Sequence, residues 1–128
     1  MSLRSPIGRV LGLGAAKEGP GHWWSQRISA VALVVLGLWF AVSLLRFESF
    51  DYADALRWAA EPVNAVLLAL TLATMIYHSM LGLQVVIEDY VDGGLRIVTV
   101  VAVNFVHYLI AGLGIFAVLR VAFGAAPQ

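Results

Sequence analysis

The chain has 128 residues, 61% of them hydrophobic and only 12% charged, with eight basic and eight acidic side chains and no cysteine. Its mean hydropathy is +0.87, and a soluble domain carries roughly twice that share of charge. Zero net charge offers no basic surface for nucleic acid, and the lack of cysteine removes disulfides, thiolate metal sites, iron–sulfur ligation and thiol nucleophiles together.

Three stretches contain no Asp, Glu, Lys or Arg: Ile28–Leu45, Pro62–Ile87 and Ile97–Leu119, of 18, 26 and 23 residues. A helix needs roughly 20 apolar residues to cross a hydrocarbon core of about 30 Å. The first run reaches that length once Trp23, Trp24 and the aliphatic stem of Arg27 are added. Barrel strands would alternate in polarity over about ten residues, and these runs do not. The expectation is an all-α membrane protein. Its three transmembrane helices fall at about 23–46, 62–89 and 96–121 within an anchor domain spanning 23–122, between an N-terminal segment 1–22 and a tail 123–128.

Met1–Gly21 is Gly-rich, holds Pro6 and Pro20, and has no apolar h-region of a secretory signal. It is basic and acid-poor, as a mitochondrial leader would be. With no long Ser/Arg-rich extension, a bacterial inner membrane is the better expectation. With the N-terminus inside, the cytoplasmic side carries Arg4, Arg9, Lys17, Arg27 and Arg96, against Arg46, Arg57 and Arg120 outside. That excess favours a cytoplasmic N-terminus.

The first helix opens on His22-Trp23-Trp24-Ser25-Gln26-Arg27-Ile28-Ser29. The two Trp form an interfacial belt. Arg27, just inside the membrane, calls for an anion, and a lipid phosphate or a haem propionate would each serve. In the acidic connection that follows, Tyr52–Ala60 is expected to form a short interfacial helix with Trp58 at headgroup level, and Pro62 suits the first turn of the second span.

The second span holds one ionisable group near its middle, His78. At about 100° per residue, Thr71, Thr74, His78, Gly82, Val85 and Asp89 fall along one stripe, small or polar where the rest of the helix is Leu, Ile, Val and Met. Such a stripe faces protein or a cofactor rather than lipid. His78 suits an axial haem ligand, with Gly82 one turn on leaving room for a flat ring. The stripe alone equally serves a histidine that hydrogen-bonds another helix.

Asp89 and Tyr90 close this helix, eleven residues and about 16 Å beyond His78. A phenol and a carboxylate there can donate to a quinone carbonyl and move protons, or act as an aromatic anchor and a solvated acid. Asp92-Gly93-Gly94 marks the turn into an antiparallel third helix. There Asn104, His107, Ala111 and Gly114 share a face, so His107 is either a second ligand or a packing residue, the latter being the commoner outcome.

The run from His78 through Gly82 to Asp89-Tyr90-Val91 resembles the second-helix signature of the succinate dehydrogenase hydrophobic membrane anchor family, the smaller cytochrome b-type anchor of respiratory complex II. The segment His22–Ser29 is similar to the start of that family's first helix, an Arg followed by a small hydroxyl residue. Length, three spans and short connections agree throughout. The resemblance implies a helical bundle with a sister anchor, the second membrane (cytochrome b) subunit, that shares one haem b. His78 would be this chain's axial ligand, with the other ligand from the sister subunit, which weakens the case for His107. It also implies Arg27 and His22 against the haem propionates, Gly82 and Ser29 along a helix-face cavity, and Tyr90 with Asp89 at a ubiquinone site. The further partners implied are the flavoprotein and iron–sulfur subunits and the lipid bilayer, with no nucleic acid. The chain would be no enzyme alone but a subunit of a quinone-reducing oxidoreductase. The rival expectations are a haem-free or fumarate-reductase-type anchor, and a structural or transport subunit with no redox site.

Overall fold

The structure, a computed structural model, describes residues 19–47, 49 and 51–124. Among them are four helices: α1 (Gly19–Leu45), α2 (Tyr52–Ala60), α3 (Pro62–Tyr90) and α4 (Gly93–Gly124). Three are long and apolar enough to cross a membrane: α3 and α4 over their full lengths, and α1 from Pro20 to Leu45. At about 1.5 Å per residue the 29 residues of α3 extend roughly 43 Å, well past a hydrocarbon core, so both ends reach the headgroups.

The connections follow from local chemistry. α1 starts four residues ahead of Trp23, with Pro20 in its first turn, where a missing N–H costs nothing. It ends in tight i→i+3 bonds, Arg46 N–H to Ser43 O at 3.1 Å and Phe47 N–H to Leu44 O at 3.2 Å. α2 spans the expected interfacial helix residue for residue, with Asp54 in its first turn and Arg57 in its last forming an exposed ion pair. Pro62 forces the preceding Glu61 into an extended conformation (φ −61°, ψ 131°), so one residue closes α2 and opens α3. The return into α4 is tighter than the Asp92-Gly93-Gly94 motif suggests. Only Val91 and Asp92 lie outside helix, and Gly93, at φ +64°, supplies the left-handed residue that a side chain would strain. α4 therefore begins three residues before the expected 96 and runs on to Gly124, past the expected end at 121.

Among the described residues the spans form a row with α3 in the middle: it packs on α1 along one side and on α4 along the other, while the backbones of α1 and α4 stay apart. A row of three buries little. Among the described residues only Ala65, Leu81, Ile87 and Ser29 are buried, and large apolar side chains such as Val31, Leu38, Val101, Leu113 and Phe116 stand exposed along the spans. In water this would be untenable, whereas against lipid it is the ordinary condition, because acyl chains are as apolar as Leu.

At one end α2 is clamped by aromatic contacts. The Trp58 ring stacks on Trp39 of α1 at 5.8 Å, meets Phe47 edge-on at 5.5 Å and lies 6.2 Å from Phe40. Asn64 of α3 donates to Trp58 O (3.0 Å) and to Glu61 Oε2 (3.1 Å), fastening the same corner. Pairs of this kind are worth about 0.5–1.5 kcal/mol each beyond their buried area. Trp58, expected as a headgroup anchor, is thus also a packing residue.

Candidate functional site

The α1–α3 seam is polar at one level. α1 and α3 run antiparallel, and His22, Gln26 and Ser29 share one face of α1 at helical spacing. Across the seam His78 is held at both ring nitrogens: Nδ1 lies 3.0 Å from Ser29 Oγ and Nε2 lies 3.3 Å from the Gln26 amide nitrogen. Ser29 Oγ also donates to Gln26 O at 3.1 Å and is only 5% exposed. Gln26 Oε1 and His22 Nε2 are buried without a hydrogen-bond partner among the described residues.

This arrangement costs more than it returns as packing. Interhelical hydrogen bonds inside a membrane contribute about 0.6 kcal/mol on average, whereas an unpartnered buried polar atom loses roughly 1–3 kcal/mol. Leu in place of His78 would need no partners at all. The seam is therefore suited to chemistry at His78 rather than to stability.

The remaining site residues are distributed as follows. Gly82 faces α1, and a Cβ placed on it would sit 3.4 Å from the Gln26 amide nitrogen, so the space beside this glycine is occupied by Gln26. Ser29 lines a groove of about 490 Å³ along the same seam, with Ser25, Ala32, Thr74 and Tyr77 among its other walls; Gly82 does not line it. Arg27 is exposed, its guanidinium 5.2 Å from the centre of the Trp23 ring, and is not brought together with His22. Of the predicted stripe, Thr74, His78 and Gly82 face α1. Thr71 donates to Leu67 O in its own helix, and Val85 and Asp89 are exposed.

Tyr90, at 84% exposure, is the last residue of α3, and neither its side chain nor that of Asp89 makes a hydrogen bond among the described residues. The antiparallel pairing of Ser29 with His78 and of Gln26 with Gly82 places Asp89-Tyr90 at the same end of the row as the start of α1. His22, Asp89 and Tyr90 thus share one end, Arg27 stands nearer the level of His78, and the Trp58 cluster takes the other end.

His107 has different surroundings. Its Nδ1 lies 2.7 Å from Val103 O, one turn back in its own helix, and its Nε2 lies 3.3 Å from Ser79 Oγ of α3. On the same face Gly114 lets α4 close on α3, for a Cβ there would collide with Leu72 Cδ2 and crowd the rest of that side chain at 3.3–3.4 Å. The face of α4 that carries His107 is a packing face.

Two contributors were missed in the sequence: Gln26, and the aromatic set around Trp58. The signal for Gln26 was present, an uncharged polar residue four positions after His22 and three before Ser29 on one helical face. The aromatic cluster had no such signal, because Trp39 and Trp58 meet only through the fold.

The donor set fits a haem iron ligated by one imidazole. A hydroxyl meets the ring's Nδ1, as outer-shell acceptors do in metal-ligating histidines, and Nε2 is met only by a long contact to a flexible amide. Among the described residues no three or more His, Asp or Glu converge, so the seam presents His78 as a single imidazole donor.

Fold and seam together define a polytopic helical membrane protein with a polar, imidazole-centred seam between its first two spans. The family model described as succinate dehydrogenase/fumarate reductase transmembrane subunit matches residues 1–111, and the chain belongs to that family. It is similar to the succinate dehydrogenase hydrophobic membrane anchor subunit of Rickettsia bellii, 36% identical over 84% of this chain and 86% of the relative. It is likewise similar to that of Paracoccus denitrificans, 30% identical over 98% and 97%. The succinate dehydrogenase membrane anchor subunit of Reclinomonas americana is 27% identical over 73% and 85%. No solved structure matches. The chain is a multi-pass protein of the bacterial inner membrane and a subunit of an oxidoreductase complex rather than an enzyme by itself.

Proposed function

We propose that this chain anchors the flavoprotein and iron–sulfur subunits of a succinate:quinone oxidoreductase, gives His78 as one axial ligand of a haem b shared with a second anchor subunit, and forms part of the ubiquinone-reducing site. The observation that carries the reading is the His78 network: an intramembrane imidazole whose Nδ1 faces a buried hydroxyl and whose Nε2 is met only by the Gln26 amide. A haem bound there would supply a one-electron centre within the membrane.

The other residues act through their positions. Tyr90, exposed at the end of α3, presents a phenol that donates to a quinone carbonyl, and Asp89 beside it accepts and passes protons from solvent. Arg27, nearer the level of His78, and His22, toward the end of the row, would meet anionic groups: Arg27 from its exposed position over Trp23, His22 through an Nε2 that has no partner among the described residues. With the N-terminus cytoplasmic, this end faces the cytoplasm, where succinate is oxidised by other chains.

The test is the assembled complex with His78→Gln. The reduced-minus-oxidised b-type absorbance is expected to vanish, while oxidation of succinate by a soluble dye continues. In the same preparation Tyr90→Phe is expected to slow quinone reduction at least tenfold and leave the dye reaction intact. A wild-type complex without b-type absorbance would favour the haem-free anchor. Full haem content in His78→Gln would leave His78 as a helix-packing residue.

A further inference from the structure

We infer that Ser29 is a positioning residue for His78: its hydroxyl holds the ring in the tautomer that carries its proton on Nδ1 and leaves the Nε2 lone pair bare. The inference rests on the proposed ligand role of His78 and names the group that prepares it.

The argument is a count of protons. Ser29 has one hydroxyl hydrogen and two neighbours at hydrogen-bond distance, Gln26 O at 3.1 Å and His78 Nδ1 at 3.0 Å. A backbone carbonyl can only accept, so a hydroxyl that donates to it must accept from Nδ1–H. Nε2 is then unprotonated and accepts from the Gln26 amide N–H at 3.3 Å. The ring proton, the hydroxyl proton and one Gln26 amide proton each have an acceptor, and what is left over is the other amide N–H and the buried Gln26 Oε1.

The opposite tautomer is poorer. An Nε2–H would point at an amide NH2, donor against donor. Turning the Gln26 amide over relieves that clash, but it places an NH2 with two donors where the orphaned oxygen now lies and takes the hydroxyl proton from Gln26 O. Both arrangements leave two buried groups unmet, an N–H and an oxygen in the first and two N–H in the second, so the first is favoured by the hydroxyl bond to Gln26 O that the second gives up. The network therefore fixes the tautomer, and Ser29 is its pivot because its oxygen alone both accepts from the ring and donates to the backbone. Gln26 holds Nε2 only loosely, by one long contact from a side chain with a free oxygen, and can swing clear when a metal takes the lone pair. Its neighbour Gly82 leaves the amide room to stand there.

Side-chain nitrogen NMR of the full chain, labelled at histidine and reconstituted in lipid bilayers, reads the tautomer without any bound group. The His78 signals are those lost in His78→Gln. The wild type and Ser29→Thr, which keeps the hydroxyl, are expected to show Nδ1 protonated and Nε2 bare. Ser29→Ala is expected to move the population toward Nε2–H, while His107, held by Val103 O, does not change. A wild-type His78 protonated on Nε2, or a tautomer that Ser29→Ala leaves in place, overturns the inference. In the assembled complex Ser29→Ala is expected to weaken haem retention about 10–100-fold and to raise the haem midpoint potential, because the ring loses the acceptor that makes it the stronger donor. Ser29→Thr is expected to restore both. Wild-type retention and potential in Ser29→Ala overturn the positioning role. If the wild-type complex shows no b-type absorbance, the ligand reading of His78 fails separately, and the NMR result alone decides the hold of Ser29 on the ring.

Discussion

The α1–α3 seam and the α3–α4 seam each hold a histidine, and the two are wired differently. His107 hands its Nδ1 proton to a carbonyl one turn back in its own helix, a bond that exists wherever α4 is helical, and reaches α3 only through Ser79. His78 makes no such local bond. Both its nitrogens turn to α1, to a hydroxyl and an amide that lie 49 and 52 positions away in sequence. The apolar seam closes on a glycine, Gly114 against Leu72, so α3 and α4 approach through shape. The polar seam has Gly82 as well, but the space beside it is taken by the end of Gln26. A histidine satisfied by its own helix stabilises a surface it happens to occupy, whereas one satisfied only by another element has its orientation dictated by the fold.

The strongest way to break this contrast is to replace both histidines by leucine in turn. His78→Leu is expected to abolish the b-type absorbance of the complex. His107→Leu is expected to leave it at the wild-type level and to lower stability by about 0.6–1.7 kcal/mol, the range of interhelical hydrogen bonds in membranes. Equal loss of haem from both would erase the distinction.

The glycines give a second, smaller contrast, read as the denaturant midpoint of the complex in detergent. Gly114→Leu drives a side chain into Leu72 and is expected to cost about 1–3 kcal/mol, the usual range for overpacking. Gly82→Ala meets only a movable amide at 3.4 Å and is expected to change stability by less than about 0.5 kcal/mol. If Gly82→Ala proves the more damaging, the polar seam is the tighter one. The smallest effect is expected from Ser79→Ala, about 0.6 kcal/mol with unchanged optical spectra. A spectral change there would tie His107 to the cofactor after all.

Much of the fold was legible in the residues. Arg27, Arg46, Glu61, Glu88, Arg96 and Arg120 bracket the three apolar runs, and the short helix Tyr52–Ala60 was delimited by Asp51 and the Glu61-Pro62 pair. These features are local, since a charge is excluded from hydrocarbon and a proline breaks the preceding turn whatever the rest of the chain does. The ends of α4 were less legible, because Gly93 and Gly94 read as a turn until the left-handed Gly93 packed the reversal into Val91 and Asp92. In the seam, His78 and Gly82 stood out by type and spacing and Ser29 through the family resemblance, whereas Gln26, though its place on the His22–Ser29 face was readable, was missed because its role depends on what lies across the seam.

The sequence by itself determined that the chain crosses the membrane three times, where each crossing begins and ends to within a few residues, and that His78 is the ionisable group stranded midway along the second. Each of these follows from comparing one residue with lipid or water, a comparison that needs no neighbour. Only the tertiary structure decided that α3 stands between α1 and α4, that Ser29 and Gln26 face His78, and that Gly114 rather than Gly82 is the close-packed glycine. Those outcomes depend on the rotation and pairing of helices that are apolar nearly all round, and among such helices the partner is chosen by a few small and polar side chains meeting at one depth.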